Sequence, residues 1–398
     1  MIASHEFDLE VTLLSGILNS VFSGISIGSV LLLAALGLAI VFGLMGVINM
    51  AHGELMMIGA YTTFMVQNAF KPLGSPWFDL YIFVALIAAF VVAALFGLVL
   101  ERGVIRYLYG RPLETLLATW GVSLILQQLV RSVSWQLVIG LMVFCALFFG
   151  AMFILSRRPN FEQIRGWVMA IMLPLSAAIA LITGNILGQV YKLAVTKPWF
   201  GAQNVDVTAP RWLRGGLSIA GTQLSYARIF IIVLTIACII AVYWFLNQTP
   251  WGLRIRAVTQ NRNMSACLGI PTQKVDAIAF ALGSGLAGLA GCAVSLLGSV
   301  GPNTGQNYIV DTFMVVVVGG VGKLVGSIIA ALAIGTLNYL IGSNILVDTF
   351  AAIPPVSEFF KFFSTISMAK VMVFALIIAF LQVRPAGLFP QKGRTVDA

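Results

Sequence analysis

Long apolar runs separated by short polar interludes pattern this chain, and runs near the ~20 residues that a helix needs to cross a bilayer predict membrane-spanning helices along most of it. The first run, Val11 to Phe70, is too long for one crossing and divides into two, Val11–Leu33 and Ala35–Phe70. The second of these is interrupted at Gly46-Val-Ile-Asn-Met-Ala-His-Gly-Glu54, which sets Asn49, His52 and Glu54 at about mid-membrane depth. Further spans are expected at Trp77–Leu100, Leu113–Val130, Gln136–Leu155, Trp167–Tyr191, Tyr226–Leu246, Ala277–Leu297, Leu324–Ile341 and Ala369–Gln382. With the stretch Gly298 to Gly322, which begins polar and ends apolar, the pattern amounts to about eleven crossings of an all-α polytopic membrane protein.

Composition agrees, since 60% of the residues are hydrophobic and 9% charged, where a soluble domain carries about 25% charged residues. The net charge of +9 does not call for a nucleic-acid partner, because the basic residues fall in short loops and form no continuous stripe. They set the orientation instead. Arg102, Arg106 and Arg111 mark one cytoplasmic loop, and Arg157, Arg158 and Arg165 mark a second. Arg254, Arg256, Arg262 and Lys274 mark a third, Thr249 to Asp276, which holds no acid before Asp276. Arg211 and Arg214, in the outer loop Val205 to Leu224, run against that rule. The acidic N-terminus, MIASHEFDLE, is unlike a secretory signal, so the first apolar run is expected to be retained as a span. Cys145, Cys238, Cys267 and Cys292 are scattered without C-x-x-C spacing and point to neither a metal nor a disulfide framework.

Polar groups within apolar runs are costly and usually face a protein interior or a water-filled cavity. Asn49, His52 and Glu54 therefore read either as part of a substrate path or as a structural kink in which His52 and Glu54 satisfy one another or nearby carbonyls. Thr119, Ser123, Gln127 and Gln128 fall near one side of a helix, where they line a cavity or bond helix to helix. Asn303, Asn307 and Asp311 read as an outer vestibule or as a solvated loop. Gly283, Gly285, Gly288 and Gly291 make small-xxx-small pairs for close helix packing, within the subunit or across a dimer. Gly322-Lys323 is not a phosphate-binding loop, because Val317 and Leu324 stand where that motif needs Gly and Ser or Thr. With two histidines in all and no nucleophile–base or metal-ligand cluster, the chain carries no catalytic site or metal site that the sequence shows.

The cytoplasmic stretch RIRAVTQNRNMSACLG predicts a short helix, with Ala257, Ala266 and Leu268 for close packing and Gly269 and Pro271 to stop it. It reads as an element that docks into another protein's groove or as a basic connector near anionic lipid. Ala266, Gly269, Ile270 and Pro271 resemble the coupling loop of ABC-importer permeases, and WGLRIRAVTQNRNMSACLGI resembles the permease family of branched-chain amino-acid and urea importers. VINMAHGELMMIGAY, GGVGKLVG and RPAGLFP resemble the same family, and PLETLLATWGVSLILQQLVR resembles its urea branch.

The resemblance covers about 1–132 and 200–398, and implies nine spans of a permease core interrupted by a two-span insertion over 133–199 that it does not cover. It implies that Arg254, Arg256, Ala257, Arg262, Ala266, Gly269 and Pro271, in the coupling loop 249–276, contact an ATPase. It places Asn49, His52 and Glu54 on or beside the pathway, with Thr119 and Gln127 completing the sparse polar set. The partners implied are two cytoplasmic ATPases that bind the ATP, a second homologous permease and a periplasmic binding protein, all at a bacterial inner membrane. The expected substrate is urea or a short amide, with a branched-chain amino acid as the alternative. A self-sufficient channel or ion-coupled transporter is the rival from another class, and it has no evident use for a coupling stretch.

Overall fold

The computed structural model describes 2–74, 77–155, 199–200, 203–219, 222–343, 345–350 and 354–389, with isolated residues between 171 and 182. Its contacts divide it into two compact units, 1–123 together with 205–398, and 124–204.

In the first unit, α1 (Ile2–Met45) is one continuous helix. The break expected near residue 34 is absent, because nothing between Val30 and Ile40 is polar, Gly37 alone does not end a helix, and a helix satisfies its own backbone inside a membrane. The chain leaves the helix at Gly46, whose φ of +65° lies in the left-handed region open to glycine, and α2 (His52–Phe70) starts after a short non-helical segment. Then follow α3 (Trp77–Gly103) and α4 (Pro112–Ser132), of which residues up to 123 belong to this unit.

After residue 205 a two-stranded antiparallel hairpin, β1 (Gly216–Ile219) with β2 (Thr222–Ser225), leads into α6 (Tyr226–Gln248), the label α5 being kept for the second unit. The outer loop before the hairpin is pinned to α3, where the Tyr81 hydroxyl donates to the Thr208 carbonyl at 2.8 Å and the Trp212 indole donates to the Asp79 carbonyl at 2.9 Å. The short helices α7 (Pro250–Gln260) and α8 (Arg262–Cys267) precede α9 (Thr272–Leu297), α10 (Thr304–Gly319) and α11 (Leu324–Gly342). The unit ends with α12 (Ile345–Thr349), α13 (Pro354–Phe363) and α14 (Ile366–Val383). The polar outer loop expected before the last span is therefore partly helical.

Helix α9 is the centre of the packing, meeting α1, α2 and α3. Its glycines do this within the chain: a Cβ on Gly283 would sit 2.6 Å from the Gly37 carbonyl oxygen, one on Gly288 2.4 Å from that of Ala89, and one on Gly291 1.9 Å from that of Met56. Helix α3 answers with the stripe Tyr81, Ala85, Ala89, Ala93 and Gly97, spaced by four and buried, while Ile87 and Val99 on the other side are exposed, as a lipid-facing surface would be.

Among the described residues six helices are long and apolar enough to cross a membrane, or seven if the segments 354–363 and 367–383, bent by 103°, form one span. The difference from about eleven has identifiable sources. Helix α10 is shorter than a span, α2 and α10 are both polar at their starts, and a Cβ on Gly53 would sit 2.3 Å from the Gly305 carbonyl oxygen, so these two first turns meet inside the bundle. In the second unit α5 (Trp135–Leu155) is helical as expected, whereas the loop Arg157–Gly166 and most of the span Trp167–Tyr191 lie outside the described residues.

Candidate functional site

The segment between α1 and α2 is held by its own polar side chains. The Asn49 amide oxygen accepts from the Ala51 N–H at 3.1 Å, and the Thr119 hydroxyl accepts from the Met50 N–H at 3.1 Å. These bonds satisfy backbone donors that a break inside an apolar bundle would otherwise strand. His52 Nε2 lies 3.0 Å from the Ala34 carbonyl, an oxygen on α1. Ser123 donates to Glu54 Oε1 at 3.0 Å.

His52 therefore meets a nearby carbonyl on α1, as the kink alternative allowed, while Glu54 bonds α4 and not His52. Asn49, His52, Glu54 and Thr119 are all within 1% of complete burial. Among the described residues the Asn49 amide nitrogen and His52 Nδ1 have no hydrogen-bond partner. On α4 Thr119, Ser123 and Gln127 are buried and Gln128 is exposed, so the polar stripe runs strictly by fours. Gln127 falls in the second unit.

The basic segments gather at one end of the first unit. Arg106 donates to the Gln273 side chain, and the Arg262 guanidinium lies 4.7 Å from the Tyr109 ring centroid while bonding Asp276 at 2.5 Å. Burial pushes the Tyr109 phenol well above its ordinary pKa, keeping its proton for the 3.3 Å bond to Glu101. The single helix expected at 254–269 is two helices. Asn261 breaks it, with φ −152°, and its side chain caps α8 by accepting from the Met264 N–H at 3.0 Å. Thr249 caps α7 in the same way.

Arg254 lies over the Trp251 ring and Arg256 donates to Asn247 at 3.0 Å. Ala257 is half-buried, while Ala266, Gly269 (φ +79°) and Pro271 are exposed. Leu268, expected to serve close packing, is 75% exposed, and Met264 is 60% exposed. Met264 carried no signal in the sequence, because a lone apolar residue in a polar loop looks the same whether it turns inward or outward.

Two cavities open along α1. One, of about 350 Å³, lies at the basic end, lined by Ala39, Gly43, Arg256, Gln260 and Lys323 among others. The other, of about 710 Å³, lies toward the opposite end between α1, α10, α11 and α14. Asn307 and Asp311 line it, so they sit on a helix and not on a solvated loop, while Lys370, which sequence reasoning passed over, lies opposite them.

The family model described as branched-chain amino acid transport system / permease component matches residues 20–185 and 122–381. The chain is 24% identical over 373 residues to the high-affinity branched-chain amino acid transport system permease protein BraD of Pseudomonas aeruginosa, covering 93% of this chain and 95% of that protein. Similarity to the LivH permease protein of the same description from Escherichia coli K12 is 24% over 373 residues, covering 93% and 94%. A shorter match, 34% over 121 residues, covers 28% of this chain and 37% of the ribose import permease protein RbsC of Bacillus subtilis. No solved structure matches the chain.

Proposed function

The chain belongs to the branched-chain amino acid transport system permease family, and from that premise we propose that it is the membrane-spanning subunit of an ATP-driven importer for branched-chain amino acids. It is a transport permease and not an enzyme, a multi-pass protein of the inner (cytoplasmic) membrane. The names of the relatives favour the amino-acid alternative over urea, which was the first expectation from the sequence.

The observation that carries the coupling role is the capped α7–α8 segment at the basic end. Met264 and Leu268 present apolar surface there, among arginines, where a cytoplasmic partner supplies the missing contacts. We assign Arg254, Arg256, Ala257, Arg262, Ala266, Gly269 and Pro271 to the contact with an ATPase, of which two would serve a pair of homologous permeases. ATP is bound by those ATPases, and a periplasmic binding protein delivers substrate.

Alternating access is supported by the two cavities on α1, one beside Ile27 and Leu31 and the other beside Ala39 and Gly43, with the wholly buried stretch Leu32–Leu38 between them. Gly43 lies 16 positions after Ile27, about 24 Å along the helix. Movement of α7 and α8 by the ATPases is transmitted to α9 through the Arg262–Asp276 pair, and α9 packs on α1 across Gly283 and Gly37. Asn49, His52, Glu54 and Thr119 lie beside the path and hold the pivot between α1 and α2, with Gln127 on the same stripe of α4. The 133–199 stretch is an insertion in this reading. The separate contacts of 124–204 support it.

The test is uptake of labelled leucine and labelled urea by the complete importer, with both permeases, ATPases and binding protein, in vesicles. Saturable, ATP-dependent leucine uptake supports the reading, and urea uptake without leucine uptake refutes it.

A further inference from the structure

The outer cavity holds an ion pair, with polar residues beside it and an apolar side on α1. Asp311 lies one turn along α10 from Asn307, and its side chain is 5% exposed. The Lys370 ammonium, on α14, lies 3.0 Å from Asp311 Oδ2 and 3.5 Å from the Asn307 carbonyl, and is 34% exposed. An ammonium carries three donors, and these contacts take two. Asn338 on α11 faces the same space, and Ile27 and Leu31 of α1 give it an apolar side. A volume of about 710 Å³ is within the range of small-molecule sites and far more than an ion pair needs for itself.

We infer that this cavity is a binding site for the zwitterionic head of an α-amino acid, with the Asp311 carboxylate taking the substrate's ammonium and the Lys370 ammonium taking its carboxylate. The inference rests on the transport reading above and adds to it the place and chemistry of recognition. The charges suit a zwitterion in particular. Separating a buried pair is costly when either charge is left alone, and a zwitterion inserted between them replaces each lost partner with another of the same sign. The Asn307 and Asn338 side chains offer further hydrogen bonds to the head group, and the hydrocarbon chain meets Ile27 and Leu31. A neutral amide would leave the pair closed and gain neither charge contact. Recognition here also lies on the side opposite the α7–α8 segment, where a periplasmic binding protein would release its cargo.

The test uses the complete importer in vesicles, loaded through its binding protein. Wild-type leucine uptake comes first, and its absence overturns the transport reading and this inference together. Given that uptake, Asp311→Asn and Lys370→Gln are each expected to lower it at least about tenfold, with complex yield and basal ATP hydrolysis retained. Exchanging the charges, Asp311→Lys with Lys370→Asp, separates recognition from a purely structural pair. Assembly without uptake supports the inference, and recovered uptake overturns it. Should any of these variants fail to assemble, Asn338→Cys decides: leucine is expected to protect it from a membrane-impermeant thiol reagent applied outside. Unchanged labelling in an importer that still transports leucine, or normal uptake by Asp311→Asn, overturns the site while leaving the transport reading intact.

Discussion

Gly291 gives the sharpest test of how the helices are held together. Replacing it with Ala adds one methyl group at a point 1.9 Å from the Met56 carbonyl oxygen and 2.9 Å from the Ala60 amide nitrogen. Both obstacles are backbone atoms of α2, so no side chain can rotate aside, and α2 and α9 must move apart by more than an ångström at their crossing. Overpacking of this kind costs about 1–3 kcal/mol, and the rigid neighbours put this site at the upper end. Against that, Ala is better than Gly by about 1 kcal/mol in a helix interior. The net expectation is a loss of about 2 kcal/mol.

Gly121→Ala is the control, because on α4 a Cβ there meets nothing within 4 Å. It should be neutral or stabilising by up to about 1 kcal/mol. Thermal unfolding of the purified permease in detergent measures both, with complex yield alongside. If Gly291→Ala melts at or above the wild-type temperature, the close approach of α2 and α9 is not what the structure shows, and the packing argument built on the α9 glycines falls with it.

Ser123→Ala removes the 3.0 Å bond to Glu54 and should cost about 1–3 kcal/mol by denaturation in detergent. Glu54→Gln keeps the shape of that contact and should lower uptake more than complex yield, whereas normal uptake would remove Glu54 from the path. Asp276→Asn weakens the anchor of α8 by about 1–2 kcal/mol, less than for a fully buried pair because Arg262 is 39% exposed. It should reduce substrate-stimulated ATP hydrolysis while the permease still assembles. Leu268→Asp, on an exposed position, should change stability by no more than about 0.5 kcal/mol yet abolish stimulated ATP hydrolysis. Retained stimulation would mean that α8 is not the docking element.

Much of this architecture is local and therefore readable in the chain itself. Apolar runs of spanning length, basic loops that gather at one end and a glycine comb on α9 are properties of neighbouring residues, and they predict helices, orientation and close packing without knowledge of the partners. The stop after α8 is local too, because Gly269 takes a φ of +79° and Pro271 follows it. Where the chain is uniformly apolar the pattern loses its information. Nothing around residue 34 says whether a helix ends, and α1 runs on to Met45 because the bundle around it buries the helix from Val30 to Val41.

Pairings across the fold are equally silent in the sequence. His52 lies two residues from Glu54 yet bonds Ala34, and Glu54 accepts a bond from Ser123, 69 positions away. Asp311 and Lys370 are 59 positions apart, and each alone looks like an ordinary charge beside an apolar run. Only the packing of α1, α10, α11 and α14 puts them on one wall, because the depth at which a charge settles in a membrane protein depends on whether the fold brings an opposite charge to meet it.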